Sequence, residues 1–361
     1  MHAAVLNRYK EPLNIEDLEI DKPKRGEIKI RPIAAGVCHS DLYVLEGATP
    51  IPPPVVPGHE AVAEVVEVGE GVSGLAPGDM VATSFIWPCG ECVYCITGRE
   101  NLCERFAAAR MKGTLLDGTT RLRRRDGAPV RIFLGGLWAE EAVVPASGVN
   151  KIDEARPEYA VLGCAYMTAY GAVVNAAQVT PGARVAVIGT GGVGMAVIDV
   201  AKALGAEVIA VGRNKEKLEV AKKTGARHIV SALDGDVVKA VKELTDGRGP
   251  EVVIEAVGVD ETVDQAVEMV APGGKVVLVG LAPVGHKTPI HLARAVRGGV
   301  TIIGSYGARP RIDFKALYGM VKRGLINPSR IVNKYYKLDE INEAVEALRS
   351  GRALRPIILF R

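Results

Sequence analysis

The sequence predicts a two-domain α/β protein, with a β-rich first part followed by a doubly wound parallel sheet. Three observations carry that expectation. The chain has 361 residues, more than one ordinary core holds. Its first 160 residues contain short apolar runs, such as Glu27–Ile33 and Ala61–Val68. Gly/Pro punctuation at Pro52-Pro53-Pro54, Pro57-Gly58 and Pro77-Gly78 separates them. From about Ala183 the texture changes to apolar runs alternating with helical patterns.

The second part is the more regular. Arg184–Ile188 is a continuous apolar run, a glycine cluster follows, and Gly192–Leu204 has helical periodicity. Further runs lie at Glu207–Val211, His228–Val230, Val252–Ala256, Lys275–Gly280 and Val300–Ile303. Helical stretches at Lys215–Lys223, Val237–Leu244 and Glu261–Val270 fall between most of them. Such alternation requires a parallel sheet with helices on both faces.

Composition narrows the function. The chain is 48% apolar and 24% charged, which suits a soluble globular protein and argues against disorder. Net charge is +3 with the signs interspersed, so no nucleic-acid partner is expected. The longest basic run, Arg121 to Arg125, reads as a solvated loop. No segment reaches the roughly 18 apolar residues of a membrane span. The start, Met1-His2-Ala3-Ala4-Val5, lacks the basic and apolar regions of a signal peptide, so cytoplasm is the expectation.

Gly189-Thr190-Gly191-Gly192-Val193-Gly194 fits G-x-G-x-x-G, and it follows a strand and opens a helix, the context that gives the pattern meaning. Gly189 permits the tight turn, Gly191 lets backbone approach a pyrophosphate, and Gly194 lets helix and strand pack closely. The helix start, with Gly192 and Val193, offers free N–H groups to phosphate. A glycine-rich turn that binds nothing is the bland rival. At the end of the next strand an NAD site would carry Asp or Glu for the ribose 2′-OH. Here stand Val211-Gly212-Arg213-Asn214-Lys215, with no carboxylate and two cations. A 2′-phosphate would be attracted there, so NADP is preferred and NAD stays possible. Arg213 stacked on adenine or pointing to solvent is the alternative.

Cys89, Cys92, Cys95 and Cys103 form C-x2-C-x2-C-x7-C. Four thiolates on one short lobe make a closed tetrahedral zinc site with no open position. A disulfide cluster is the rival, disfavoured by a reducing compartment. The other two cysteines are Cys38, in Gly36-Val37-Cys38-His39-Ser40-Asp41, and Cys164, in Leu162-Gly163-Cys164-Ala165, with Gly58-His59-Glu60 between them. Cys38, His59 and Cys164 would together offer two thiolates and an imidazole, leaving a fourth position open. Taken singly, Cys164 reads equally as a small core residue and His59 as a turn histidine.

Those two motifs, the four-cysteine lobe and the later glycine pattern, in that order, resemble the zinc-dependent medium-chain alcohol dehydrogenases. The resemblance runs from Ala3-Ala4-Val5 to Leu354-Arg355-Pro356-Ile357-Ile358. It implies a GroES-like catalytic domain over 1–164, with the structural-zinc lobe at about 85–105, completed by 306–361. A Rossmann domain over 165–305 would interrupt it. It further implies two zinc ions per chain. Cys38, His59 and Cys164 would hold the catalytic one, with Glu60 beside it as alternate ligand or supporting partner. His39 and Arg355 match positions that contact the cofactor pyrophosphate, Ser40 the residue that takes the hydroxyl proton. Phe85 and Trp138 fall near pocket-lining positions.

Two departures stand out. Tyr43 is nearest to the place where the family's proton relay often ends in histidine. The segment Gly113–Phe133 resembles the insertion of the branch related to glutathione-dependent formaldehyde dehydrogenase. The implied activity is hydride transfer between an alcohol and NADP, with aldehyde or ketone as the oxidised partner, in a homo-oligomer (dimer or tetramer). A zinc-free reductase on the same scaffold and a cofactor-binding protein without turnover are the rivals; the first is disfavoured because all three ligands are present.

Overall fold

A computed structural model describes residues 1–360, which form two compact units. The first comprises residues 1–167, 309–318 and 331–360; the second comprises 168–308 and 319–330. The second unit thus includes a stretch, 319–330, from the chain's return toward the first.

The first unit is built on a mixed sheet. Its strands lie in the order Val149–Lys151, Met80–Thr83, Ala61–Val68, Glu27–Gly36, Arg355–Leu359 and Val332–Lys337, and Ala142–Pro145 also pairs with Glu27–Gly36. The register brings distant segments to one end of this sheet. Ala35 faces Ala61 across one ladder and Ile358 across the other, both antiparallel. Residues just after Gly36, just before Ala61 and just before Ile357 therefore emerge side by side. Cys38, His59, Glu60 and Arg355 occupy those places.

The second unit is a six-stranded parallel sheet. Its strands lie in the order His228–Ser231, Glu207–Gly212, Arg184–Ile188, Val252–Glu255, Lys275–Leu278 and Thr301–Gly304. The sequence-based runs match these strands to within a few residues at their ends, where helices and strands fray. Helices Gly192–Ala203, Lys215–Thr224, Val237–Glu243 and Asp260–Met269 connect them. Burial on both faces explains the unbroken apolar runs. Ile188, Ile209, Val211, Val253, Val267 and Val276 belong to one buried cluster.

The Arg121–Arg125 run is a solvated turn only at its end, where Arg125 is exposed. Arg121 is buried at 3% exposure, and its guanidinium donates to both carboxylate oxygens of Glu27, at 2.9 and 2.5 Å, and to Asp117 at 2.8 Å. Arg123 pairs with Glu19 and Asp21, Arg124 with Glu16, and Arg125 with Asp17. Leu122–Arg123 is itself a short strand, antiparallel to Glu19–Ile20. The basic run closes against an acidic strand about a hundred residues earlier, and a local reading has no access to that partner. No described helix is long and apolar enough to cross a membrane.

Candidate functional site

Cys38 lies between the end of a strand and the helix His39–Leu45, in extended backbone that begins the helix. Asp41, three residues on, closes that helix start by accepting the Cys38 N–H at 2.9 Å. Its second carboxylate oxygen accepts from Gly58 N at 3.2 Å and lies 3.0 Å from His59 Nδ1. One fully buried carboxylate therefore ties the Cys38 and His59 loops together and orients the imidazole. Sequence reasoning passed over Asp41, because Asp at the third position of a helix reads simply as a cap.

Close packing makes the loops rigid. Gly58 has φ +94°, and a Cβ there would come within 2.6 Å of Trp138. Trp138 is fully buried and donates its indole N–H to Gly36 O at 3.1 Å, so it supports both loops from beneath. Gly163 presses on the neighbouring strand so tightly that a Cβ would lie 1.6 Å from Thr83 O. Thr83 Oγ1 in turn accepts from Ala61 N at 2.8 Å, which sets Cys164 beside the His59 loop.

The result is a buried cluster in which one ligand atom from each of Cys38, His59 and Cys164 lies within 4.8 Å of the others. With Nδ1 directed at Asp41, His59 turns its Nε2 to the thiols, and that buried nitrogen has no hydrogen-bond partner. This carboxylate–histidine arrangement fixes the tautomer a metal ligand needs. Ser40 Oγ stands 3.3 Å from Cys38 Sγ. Phe133 and Phe85 meet the imidazole edge-on, with ring centroids at 5.4 and 6.3 Å. Phe133 went unnoticed in the sequence, where an isolated aromatic carries no signal.

Electrostatics point the same way. The hydrogen bond from Cys164 holds the Cys38 thiol well below its ordinary range, against burial and with help from Arg355 and His59. The same bond, with burial, pushes Cys164 well above. Burial opposes a charge on His59, yet the charge and hydrogen bond of Asp41, with Cys38, carry its pKa well above the usual value. Two thiols so close ionise together only beside added positive charge, and a bound divalent cation deprotonates such a ligand outright. Glu60 is pushed up to about 7 by burial, with the Arg355 guanidinium pulling the other way. Arg355 Nη1 lies 3.3 Å from Glu60 Oε1, and both side chains are buried. Glu60 stands so close beneath Gly36 that a Cβ there would lie 2.1 Å from its Oε1. Arg355 thus lies buried beside Glu60 and the Cys38, His59 and Cys164 cluster, while His39 is exposed on the helix that follows Cys38.

Asp41→Ala is expected to destabilise the metal-loaded protein by about 3–5 kcal/mol, because it strands two buried backbone N–H groups and the imidazole. Urea unfolding at matched zinc content measures this. A shift below about 1 kcal/mol would contradict it.

The four remaining cysteines also converge, with sulfur atoms within 4.8 Å of one another. Backbone N–H groups point at the sulfurs: Cys89 N and Phe106 N donate to Cys103 Sγ, Glu91 N and Cys92 N to Cys89 Sγ. Such donors stabilise thiolates. A backbone hydrogen bond from Cys95 pulls the Cys92 thiol down to about 6, whereas burial pushes Cys95 up to about 12. All six cysteines are free of disulfides. The lobe is fastened by Glu100, which is buried and accepts from Arg311 N and Nε at 2.8 and 2.7 Å.

In the second unit the glycine turn has the predicted local form. Gly189 has φ +107°, and a Cβ on Gly194 would sit 1.8 Å from Gly189 O. Gly191 begins the helix Gly192–Ala203, and a Cβ there would meet nothing within 4 Å, so room remains before the free N–H groups. Gly212 closes on this turn, where a Cβ would lie 2.7 Å from Thr190 Oγ1. Glu255, unremarked in the sequence, holds the neighbouring loop by accepting from Val257 N, Gly258 N and Thr262 Oγ1 at 2.8–2.9 Å. Asn214 caps the next helix by accepting from Lys217 N at 2.9 Å, and Lys215 lies 3.8 Å from Asp234. Arg213 is exposed.

Residues 24–154 match the alcohol dehydrogenase GroES-like domain, and residues 192–323 match the zinc-binding dehydrogenase family. The chain is 37% identical to the NDMA-dependent alcohol dehydrogenase of Amycolatopsis methanolica, over 99% of this chain and 98% of that one. Among solved structures, an alcohol dehydrogenase zinc-binding domain protein from Burkholderia ambifaria superposes with a TM-score of 0.95 at 32% identity, covering 100% of this chain and 98% of the other. Benzyl alcohol dehydrogenase from Acinetobacter calcoaceticus gives 0.93 at 31% identity, covering 100% and 99%.

Proposed function

The chain belongs to the zinc-type medium-chain alcohol dehydrogenase family, and from that premise we propose that it transfers a hydride between an alcohol and NADP, through the site formed by Cys38, His59 and Cys164. That it is a nicotinamide-dependent alcohol oxidoreductase follows from the family; the choice of NADP, the residue roles and the two zinc ions are our reading. The observation that carries it is the unpartnered His59 Nε2, held by Asp41 against two thiols of opposed acidity.

Zinc held at that position by Cys38, His59 and Cys164 would supply a Lewis acid that makes a hydroxyl easier to deprotonate. The chain's own residues do the rest. Asp41 keeps His59 in the ligating tautomer. Ser40, beside Cys38, would take the hydroxyl proton as it hands its own to the ribose or water. Phe85 and Phe133 keep water from the imidazole's flank. Glu60 and Arg355 hold a buried pair next to the ligands, with Glu60 available as an alternate ligand and Arg355, like His39, as a pyrophosphate contact. A bound nicotinamide would serve as hydride acceptor in oxidation and donor in reduction, while Ser40 would take the hydroxyl proton and pass its own on to the ribose or water, with aldehyde or ketone as the oxidised partner.

Cys89, Cys92, Cys95 and Cys103 would hold a second, structural zinc. Gly189, Gly191, Gly192, Val193 and Gly194 would receive the pyrophosphate, and Gly212, Arg213, Asn214 and Lys215 the adenosine ribose. The lack of a carboxylate at 212–215 supports NADP. One charge-assisted bond from Arg213 to the 2′-phosphate is worth about 1.5–3 kcal/mol. Arg213→Ala is therefore expected to lower kcat/KM for NADP by about 10- to 100-fold and to leave that for NAD nearly unchanged. A preference for NAD in the unaltered protein would overturn the assignment.

A homo-oligomer in the cytoplasm completes the reading. The edge strand Thr301–Gly304 pairs on one side only, and Leu292 and Val296 nearby are 66% and 70% exposed, which supports self-association.

A further inference from the structure

We propose that the helix Pro310–Lys322 is a strut between the four-cysteine lobe and the Cys164 ligand, with Glu100 and Tyr159 as positioning residues at its two ends, and that this strut slows the loss of metal from Cys38, His59 and Cys164. The inference rests on the two-zinc reading above. Residues 310–318 of this helix belong to the first unit, as do both cysteine groups.

At the lobe end the link is ionic. Glu100 stands in the short turn Glu100–Leu102, and its carbonyl accepts from Cys103 N at 3.1 Å. Its carboxylate is 1% exposed and accepts from both Arg311 N and Arg311 Nε, at 2.8 and 2.7 Å. Arg311 N is among the first N–H groups of the helix, which no carbonyl inside the helix can satisfy, and a carboxylate there also meets the positive end of the helix dipole. Asp313, likewise buried, closes the same helix start by accepting from Arg309 N and Nε at 2.8 and 3.0 Å.

At the other end the link is aromatic. Phe314 and Tyr318, one turn apart and both buried, stack with ring centroids at 6.1 Å, and Tyr318 meets Tyr159 edge-on at 5.9 Å. Tyr318 Oη also accepts from Asp153 N at 3.1 Å. Tyr159 lies in the turn Pro157–Gly163, where Val161 and Leu162 are fully buried, and the next residue is Cys164. This turn is gripped twice, by a strand through Gly163 and Thr83 and by the helix through Tyr159. Rigid elements packed in this way carry coupling between separated sites.

The test follows zinc transfer from the full-length, zinc-loaded protein to excess pyridylazoresorcinol, for the unaltered chain, Glu100→Gln, Tyr159→Leu and the double variant. Cys38→Ala, which should hold zinc in the lobe alone, assigns the two phases. Each single variant should speed release from Cys38, His59 and Cys164 about tenfold, the scale of effect expected for groups that hold metal ligands in place. Because the strut acts in series, the double variant should be no faster than the faster single one, whereas two independent structural roles would multiply. Arg105→Gln, which cuts the exposed pair with Glu91 on the same lobe, should behave like the unaltered protein. Should Glu100→Gln fail to fold, Arg311→Met cuts the same link from the helix side and takes its place. Release from that cluster at the unaltered rate, or multiplied effects in the double variant, would overturn the strut alone. Fewer than two zinc ions in the unaltered, zinc-replete protein would overturn the two-zinc reading and the strut with it.

Discussion

His59→Ala, and separately Cys38→Ala, are expected to lower kcat for alcohol oxidation by at least about a thousandfold while the protein stays folded. Lowering the pKa of zinc-bound water from about 15.7 to about 7 corresponds to roughly 12 kcal/mol on proton loss, far more than any single hydrogen bond at the site supplies. In the proposed site either variant would remove one of three protein ligands, leaving too few to fix the metal's geometry. The fold should survive, because the loops remain tied through Asp41 to Gly58 N, through Trp138 to Gly36 O and through Thr83 to Ala61 N. Circular dichroism and zinc analysis on each variant separate the cases. Both should keep native secondary structure and lose about one zinc of two. Wild-type turnover in a folded, zinc-depleted variant would falsify the assignment.

The second large effect concerns stability. Cys103→Ser should abolish metal binding in the four-cysteine lobe and lower the melting temperature by about 10 °C. Structural zinc contributes of order 10 kcal/mol to the folding of small metal-bound domains. Here part of the lobe is fastened independently, by Glu100 to Arg311 and by Trp87, whose indole donates to Ser84 O and whose ring meets Phe106. A loss of about 3–5 kcal/mol is therefore expected, and 1 kcal/mol shifts the melting point of a large domain by about 2–4 °C. Zinc content should fall by one equivalent, and limited proteolysis should cut first within 89–103. An unchanged melting point with one zinc lost would mean that the lobe folds without metal.

How much of this the sequence reveals depends on how local the interaction is. The glycine turn is legible because its three glycines, strand and helix are consecutive. The four-cysteine lobe is legible because fifteen residues contain all four of its cysteines. Cys38, His59 and Cys164 are visible as residue types, but their meeting depends on two ladder registers and on Gly163 pressing against Thr83. That information is distributed over more than a hundred residues, and family resemblance stood in for it. The pairing of Glu60 with Arg355 spans nearly three hundred residues. Arg121 reads as solvated for the same reason, since its partner Glu27 is 94 residues away. Asp41 and Glu255 were hidden differently: a short acidic side chain near a helix start has a common structural role that masks any further one.

Anomalous diffraction at the zinc edge from crystals of the unaltered protein tests the central claim most directly. The account predicts two peaks per chain. One should lie about 2.3 Å from Cys38 Sγ and Cys164 Sγ and about 2.1 Å from His59 Nε2, the other among the four lobe sulfurs. A single peak confined to the lobe, with Cys38, His59 and Cys164 free of metal in zinc-replete crystals, would contradict it.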